Sequence, residues 1–354
     1  MLIRSKAPLR LGLAGGGTDI AAYYDIYGGY VLNATIDMYA YCILEPADLQ
    51  KSGDPTESCG GGKIVFNAAD FDKTETYEAA SVLPVSPALP LHTGIYNRIV
   101  ADYNGGKPLS FVMTTYSDAP AGSGLGSSST MVVAIIKAFA EWLNLPLGEY
   151  DIASLAYRVE RGDLKLAGGK QDQYAATFGG FNFMEFYRDE RVVVNPLRLK
   201  RWIRNELEAS LVLYYTGVSR ESANIIRQQI ENMEAKNAKS IESMHELKKQ
   251  AVCMKEALLK GDFAGFSSCL LNGWLAKRNM AASISNSFLD ETYRYALDNG
   301  AESAKISGAG GGGFMMLYCD PKNRVRLIRA MKARGGVVFT PSFTEIGTQA
   351  WTLY

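Results

Sequence analysis

The chain has 354 residues, 47% of them hydrophobic and 21% charged, which excludes a disordered or fibrous protein and allows more than one buried core. Lys plus Arg and Asp plus Glu each number 37, so no global field favours nucleic acid or an acidic membrane, and neither is expected as a partner. Five scattered cysteines without a C-x-x-C pair and only two histidines, His92 and His245, argue against a disulfide framework and a multi-histidine metal centre.

The N-terminus has no apolar signal core, and no run approaches the ~18 apolar residues of a membrane helix, so a cytoplasmic protein is expected. A first glycine segment runs from Ala7 to Asp19 and contains Gly15-Gly-Gly-Thr-Asp19. Thr-Asp before an apolar run predicts a helix over Ile20 to Tyr27, with Asp19 as a candidate N-cap. Short β-like runs follow at Tyr39 to Leu44, Lys63 to Phe66 and Leu109 to Tyr116. Gly53 to Gly62 reads as an exposed loop, and His92, shortly after Pro90, as a loop residue.

Pro120-Ala-Gly-Ser-Gly-Leu-Gly-Ser-Ser-Ser129 then leads directly into an apolar helical run ending at Leu143, and a second helix is predicted near 149–161. Gly179 to Phe186 alternates as a strand, with Phe181 and Phe183 on one face. A change of character near 195–205 divides the chain into units 1–200 and 201–354. The second unit reads as a strand at Leu211 to Tyr215, then long amphipathic stretches from Glu221 to Met280 with His245 on a polar face. A strand at Ser303 to Ile306, a glycine loop, a strand at Gly313 to Tyr318, a helix at Pro321 to Ala333 and a strand at Val337 to Pro341 complete a β-α-β-β-α-β order of the ferredoxin-like kind.

The segment 120–129 carries the chemistry. Gly122, Gly124 and Gly126 let the backbone approach an anion, and the N–H groups and positive dipole end of the following helix face it. The loop lacks the Gly-Lys-Ser/Thr ending of a Walker A sequence and the G-x-G-x-x-G spacing of a dinucleotide fingerprint. Ser127 or Ser128 as a simple helix cap is the alternative, since Ser commonly caps. Gly308, Gly310 and Gly313 do spell G-x-G-x-x-G, but Phe314-Met-Met-Leu-Tyr318 after them reads as a strand, so a Rossmann site fails on context.

Three such glycine segments in this order resemble the GHMP kinases, whose middle motif P-x-x-x-G-L-G-S-S is matched without a gap by Pro120 to Ser128. The resemblance extends from Ala7 to Phe314 and implies an α+β fold with an N-terminal ribosomal-protein-S5-like domain and a C-terminal ferredoxin-like domain. Gly15 to Asp19 and Gly168-Gly-Lys-Gln-Asp-Gln-Tyr174 are most similar to bacterial D-glycero-D-manno-heptose 7-phosphate kinases, with the fucokinase kinase domain a near relative. That similarity implies transfer from ATP, with Mg²⁺, to the anomeric O1 of a heptose 7-phosphate, giving a 1,7-bisphosphate for nucleotide-activated heptose and surface glycan. A homodimer is left open.

The same resemblance distributes roles. Asp172, at the family's G-x-x-D position, is expected as catalytic base, and Arg10 as the cation that offsets developing charge. Pro120, Gly122, Ser123, Gly124, Leu125, Gly126, Ser127, Ser128 and Ser129 are expected to cradle the nucleotide phosphates. Ser128 and Glu160 are the expected Mg²⁺ ligands, with Ser129 the neighbouring alternative to Ser128. Gly16, Gly17, Thr18 and Asp19 are expected to hold sugar hydroxyls, with Gly308, Gly310 and Gly311 closing over them. Lys170, Arg220 and the pair Lys277-Arg278 are candidates for the substrate's phosphate, Arg220 foremost. A free-sugar kinase and a non-catalytic sugar or nucleotide sensor are the competing readings.

Overall fold

The computed structural model describes residues 1–47, 62–120, 122–217 and 222–354. The predicted loop from Gly53 to Gly62, all but Gly62 itself, lies outside the described residues, as do Arg220 and Glu221.

The first half builds strands β1 (Leu2–Ala14), β2 (Gly29–Pro46), β3 (Lys63–Ala68), β4 (Lys73–Glu78), β5 (Phe111–Ser117), β6 (Phe181–Phe186) and β7 (Val192–Pro196). Its helices are α1 (Ala21–Tyr27), α2 (Pro90–Tyr103), α3 (Ser127–Trp142), α4 (Glu149–Tyr157) and α5 (Gln171–Phe178). The second half contributes α6 (Arg201–Ser210), β8 (Leu211–Tyr215), α7 (Ser222–Glu234), α8 (Ala238–Lys260), α9 (Phe263–Arg278), α10 (Ser287–Asp298), β9 (Ser303–Ile306), β10 (Phe314–Tyr318), α11 (Pro321–Ala333) and β11 (Val337–Phe339). The last strand is β12 (Gln349–Leu353).

The second sheet runs β11-β8-β10-β9 with every pairing antiparallel, the strand order of a ferredoxin-like unit. The larger sheet runs β12-β1-β2-β5-β3-β4, with β6 pairing to β2 and β7 to β6. One strand therefore departs from the division at residue 200: β12 pairs antiparallel with β1, from Leu2↔Leu353 to Lys6↔Gln349. β1 has a free hydrogen-bonding edge that a late strand satisfies, so the end of the second unit belongs to the first sheet.

The register of β1 against β2 shifts between Pro8 and Arg10 and again between Gly12 and Ala14. Between Pro8 and Arg10 one residue of β1, Leu9, stands opposite three of β2, residues 36–38, and an irregularity of this kind breaks the alternation of faces along a strand. Ile3 and Ala7 pack into the core around α3, where the Ser5 hydroxyl also donates to the Ala134 carbonyl at 2.6 Å. Beyond the shift, Leu9, Leu11 and Leu13 enter a different core with Met254 and Leu258 of α8, Phe266 of α9, and Leu213 and Phe314 of the second sheet. β2 changes cores in the same way, with Leu32 and Ala34 in the second and Cys42 and Leu44 in the first. This second core is shared between the two sheets and fixes one against the other.

One local expectation is revised. Pro90 opens α2 rather than interrupting the chain, so His92 is helical and buried, with its Nε2 2.9 Å from the Thr115 hydroxyl. Burial pushes its imidazole down to about 4, against a smaller opposing effect of Glu75. The first glycine segment is strand up to Ala14, and its loop begins only at Gly15. His245 is exposed on α8, its Nδ1 2.7 Å from the Tyr23 hydroxyl. Among the described residues no helix is long and apolar enough to cross a membrane.

Phe314 is fully buried in the shared core, its ring 5.1 Å from Tyr215 and 5.3 Å from Phe339 by centroid. Phe314→Ala is expected to cost about 3–5 kcal/mol, read as a lower denaturant midpoint.

Candidate active site

α3 begins at Ser127, and its N-cap is Gly126 at φ 79°, with no side-chain cap bond. The serines therefore do not cap the helix, and its first-turn N–H groups remain open toward the loop. Gly124, at φ 78°, admits no substitute: a Cβ there would lie 2.5 Å from the Ser307 carbonyl oxygen. The Ser307 hydroxyl donates to the Gly124 carbonyl at 2.9 Å, and the Phe314 amide donates to the Ser123 carbonyl at 2.8 Å. Second and third glycine loops thus meet backbone to backbone.

They enclose part of a cavity of about 510 Å³. Gly122, Gly124, Gly126, Ser127, Ser128 and Ser129 line it. Pro120, Ser123 and Leu125 do not. The Pro120 carbonyl accepts from the Ser123 amide at 3.1 Å, Ser123 is fully buried, and Leu125 sits in the shared core, so these three hold the loop's shape.

The register shift in β1 brings Arg10 to this cavity. Its Nε donates to Asp172 Oδ1 at 2.8 Å, its Nη2 lies 2.7 Å from the same oxygen, and its Nη1 donates to the Gly124 carbonyl at 2.6 Å. Asp172 is in the first turn of α5 and lines the cavity, and a Cβ on Gly126 would approach its carboxyl carbon to 3.1 Å. Phosphate loop, guanidinium and carboxylate therefore occupy one corner.

Glu160 lies in a π-helical turn, Arg158–Asp163, that continues α4. Such turns re-aim side chains and recur at functional sites. Its carboxylate is 2% exposed and accepts from the Ser129 hydroxyl at 3.0 Å and from Gln173 Nε2. Arg161 Nη1 stands 3.6 Å away. Ser129, not Ser128, bonds to Glu160, because one residue along a helix rotates a side chain by about 100°. Ser128 is exposed at the cavity wall.

Asp19 does not cap α1. Its Oδ1 accepts from the Gly17 amide at 3.0 Å and its Oδ2 from the Gln171 amide at 3.0 Å, tying the first glycine loop to the start of α5. Gly16, Gly17 and Asp19 line the cavity. Thr18 does not: it is fully buried, its hydroxyl 2.8 Å from the carbonyls of Gly15 and Tyr30 and accepting from the Tyr30 amide at 3.0 Å.

The expected cations divide. Lys170 is absent from the cavity wall; its ammonium is buried between the rings of Tyr24 and Tyr157, 4.9 Å from each centroid, and burial lowers its pKa. Arg278 is paired with Asp290 at 2.8 Å. Lys277 lines the cavity and donates to the Gly308 carbonyl, and Gly308 lines it too. Gly310 and Gly311 instead pack on Ile284, whose carbonyl accepts from the Gly311 amide at 2.8 Å. Lys305, Arg161, Gln171 and Gln229 also line the cavity and were not anticipated. A lysine inside the short predicted strand Ser303 to Ile306, ahead of a glycine loop, was the readable signal for Lys305.

Lys305 donates to the carbonyl of Gly12 at 2.7 Å, across the boundary between the sheets. Burial, then the neighbouring charges of Lys277 and Arg10, hold its pKa well below the ordinary lysine value. Burial pushes Lys277 down to about 8, with Arg10 acting in the same direction and Asp19 and Asp172 opposing. Cations crowded against one another in a dry cleft are stabilised by an anion.

An uncapped helix start, a cluster of cations and a carboxylate held by arginine define a phosphotransferase that acts on the hydroxyl of a small molecule. Residues 91–180 match the GHMP kinases N terminal domain and 254–337 the GHMP kinases C terminal domain. The chain belongs to the GHMP kinases, which use ATP as phosphoryl donor. It is 50% identical over 351 residues to D-glycero-alpha-D-manno-heptose 7-phosphate kinase of Campylobacter jejuni, covering 99% of both chains. The structure of a D-glycero-D-manno-heptose 1-phosphate kinase from Bacteriodes thetaiotaomicron superposes with a TM-score of 0.82 at 45% identity, covering 99% of each chain. Lactococcus lactis galactokinase complexed with galactose shares the fold at 16% identity, with a TM-score of 0.75 over 99% of this chain and 95% of that one.

Gly124→Ala is expected to disrupt the loop junction through its positive φ and the clash with Ser307. Turnover should fall by at least about a hundredfold, with a lower melting temperature, measured by ADP release and calorimetry.

Proposed function

We propose that this chain is an ATP-dependent kinase that phosphorylates O1 of D-glycero-D-manno-heptose 7-phosphate in the cytoplasm, feeding synthesis of nucleotide-activated heptose. The observation that carries the chemistry is the Arg10–Asp172 pair beside the uncapped start of α3. The identity and coverage of the Campylobacter jejuni relative support the acceptor. The names of the two heptose kinases differ in the phosphate they specify, 7 in one and 1 in the other, so the position of transfer is part of the proposal. A sugar phosphate is favoured over a free sugar because Lys277 and Lys305 provide charge at the wall beyond Arg10.

The donor set fits Mg²⁺. Glu160 is a buried carboxylate at the cavity wall with serine hydroxyls beside it, and among the described residues no cluster of three or more His, Cys, Asp or Glu forms a dedicated cage. Magnesium typically takes one or two carboxylates and completes its shell with water and phosphate oxygens. Glu160 would hold the ion together with Ser128 or Ser129, and Gln173 keeps the Glu160 carboxylate oriented. When bound, the ion supplies charge neutralisation of the phosphate oxygens.

The protein's own groups do the rest by positioning and charge. The amides at the start of α3 and the glycine loop receive the donor's phosphates. Asp172 is oriented through Oδ1 by Arg10, which leaves Oδ2 to accept the proton of the attacking hydroxyl. Arg10 spans Asp172 and the Gly124 carbonyl and stands where charge develops on the transferred group. Asp19 orders Gly17 and Gln171 around the acceptor.

Asp172→Asn should leave ATP affinity within about twofold while lowering kcat by roughly 10²–10⁴. Steady-state ADP release with heptose 7-phosphate, free heptose, mannose, fucose and galactose tests the acceptor. Strong turnover with free sugars and none with the 7-phosphate would overturn it, and phosphorus NMR of the product locates the new phosphate.

Lys277 gives a pH dependence. Its folded-state value near 8 lies below its ordinary value of 10.5, so the unfolded chain binds more protons between the two. Stability of the ligand-free protein therefore gains a contribution as pH rises through that window. Bound phosphate favours the ammonium form. Affinity for the sugar phosphate should fall above about pH 8, and its binding near pH 8.5 should take up protons, visible by calorimetry in buffers of different ionisation enthalpy. Lys277→Met should abolish the uptake.

A further inference from the structure

Among the described residues that line the cavity, Gln229 on α7 is 3% exposed, and its Nε2 is buried without any hydrogen bond. Buried amide donors are nearly always paired, and an orphan at a cavity wall marks the place of a ligand acceptor. The adjacent residue gives the contrast: Gln228 is satisfied away from the cavity, its Oε1 accepting from the Ser283 hydroxyl. α7 therefore has two successive amides, one committed to the fold and one left to the site.

The position relative to the catalytic pair follows from contacts. Gln171, next to Asp172, lies against Gly16, where a Cβ would meet its Oε1 at 3.4 Å. Gly17 follows, and a Cβ on it would stand 3.8 Å from Gln229 Oε1 and 3.2 Å from the Met280 methyl. Gly17 has φ 108°, and its lack of a side chain keeps this end of the cavity open. Ala223 and Ile226, six and three residues earlier on the same helix face, line the wall with Gln229, as does Ile20. An uncharged donor among apolar wall groups suits a hydroxyl oxygen better than a phosphate dianion.

Resting on the sugar-phosphate reading above, we infer that Gln229 is a specificity-determining residue whose Nε2 donates to an acceptor hydroxyl remote from the oxygen being phosphorylated. It acts in acceptor binding and selection, not in the transfer step.

The test uses the full chain with Gln229→Leu and Gln229→Asn, ATP, heptose 7-phosphate and its monodeoxy analogues. Gln229→Leu should raise the acceptor KM roughly tenfold, with the ATP KM within twofold and the melting temperature of the free protein unchanged or higher, since an unpaired buried amide has been removed. One deoxy analogue should lose about the same factor on the wild type and nothing further on Gln229→Leu. An unchanged acceptor KM, or equal shifts in both KM values, overturns the assignment. If Gln229→Leu fails to fold, Gln229→Asn, which shortens the reach but keeps the amide, carries the same comparison. If the analogue that tracks Gln229 is the dephosphorylated sugar, the hydroxyl assignment is overturned. Wild-type silence with heptose 7-phosphate overturns the acceptor reading and the inference with it, whereas wild-type turnover with an unaffected Gln229→Leu overturns only the inference.

Discussion

The register shift in β1 is the constraint on which the site depends. With strict alternation, the face that buries Ile3 and Ala7 would also bury Leu9, Leu11 and Leu13, and Arg10 would point away from the phosphate loop. The shift sends the three leucines into the core shared with the second sheet and delivers Arg10 to Gly124 and Asp172. One local irregularity thus builds the interface between the two halves and places the guanidinium in the cleft. Lys305 completes the arrangement, reaching from β9 to the Gly12 carbonyl on β1.

The cavity balances opposed charges. Arg10, Arg161, Lys277 and Lys305 share its wall with Asp19, Glu160 and Asp172, so among the described residues cations outnumber acids by one, and the groups are fixed in place by the fold's own hydrogen bonds and by the Arg10–Asp172 pair. Asp19 is committed to two backbone amides, and Glu160 to a hydroxyl and an amide. Fixed acids and fixed cations in a partly dry cleft are preorganised for a polyanion and need little rearrangement to meet it. Lys277 and Lys305, with their lowered proton affinities, are groups whose charge state responds to an anion in the cleft.

Much of this was legible in the residues. α11 and β9 fall at their anticipated bounds, because Asp320-Pro321 is a strong helix start and β9 is a short segment set between Gly300 and the glycine loop that opens at Gly308. The glycine loops, Asp172 and Arg10 were legible because three motifs in fixed order constrain one another. The errors have local causes. Pro90 was taken as punctuation, though proline is at home in a first helical turn. Lys170 was expected at the substrate's phosphate, yet a two-residue step from Asp172 at a helix start turns its side chain toward Tyr24 and Tyr157. Thr18 was given to the ligand although the loop's own carbonyls consume its hydroxyl. Gln229 was unreadable because the wall it completes comes from Gly16 and Gly17, more than two hundred positions earlier.

The pairing of β12 with β1 bears on the order in which the molecule assembles. Contacts between residues 2–6 and 349–353 span nearly the whole described chain, and closing so large a loop is slow compared with forming local hairpins and helices. During synthesis the strand that carries Arg10 emerges more than three hundred residues before the one that completes its edge. Until then it presents unsatisfied backbone groups to any other strand nearby. The step that closes this edge is also the one that finishes the sheet beneath the cleft, so nascent chains are most exposed to mispairing before the catalytic apparatus is secured.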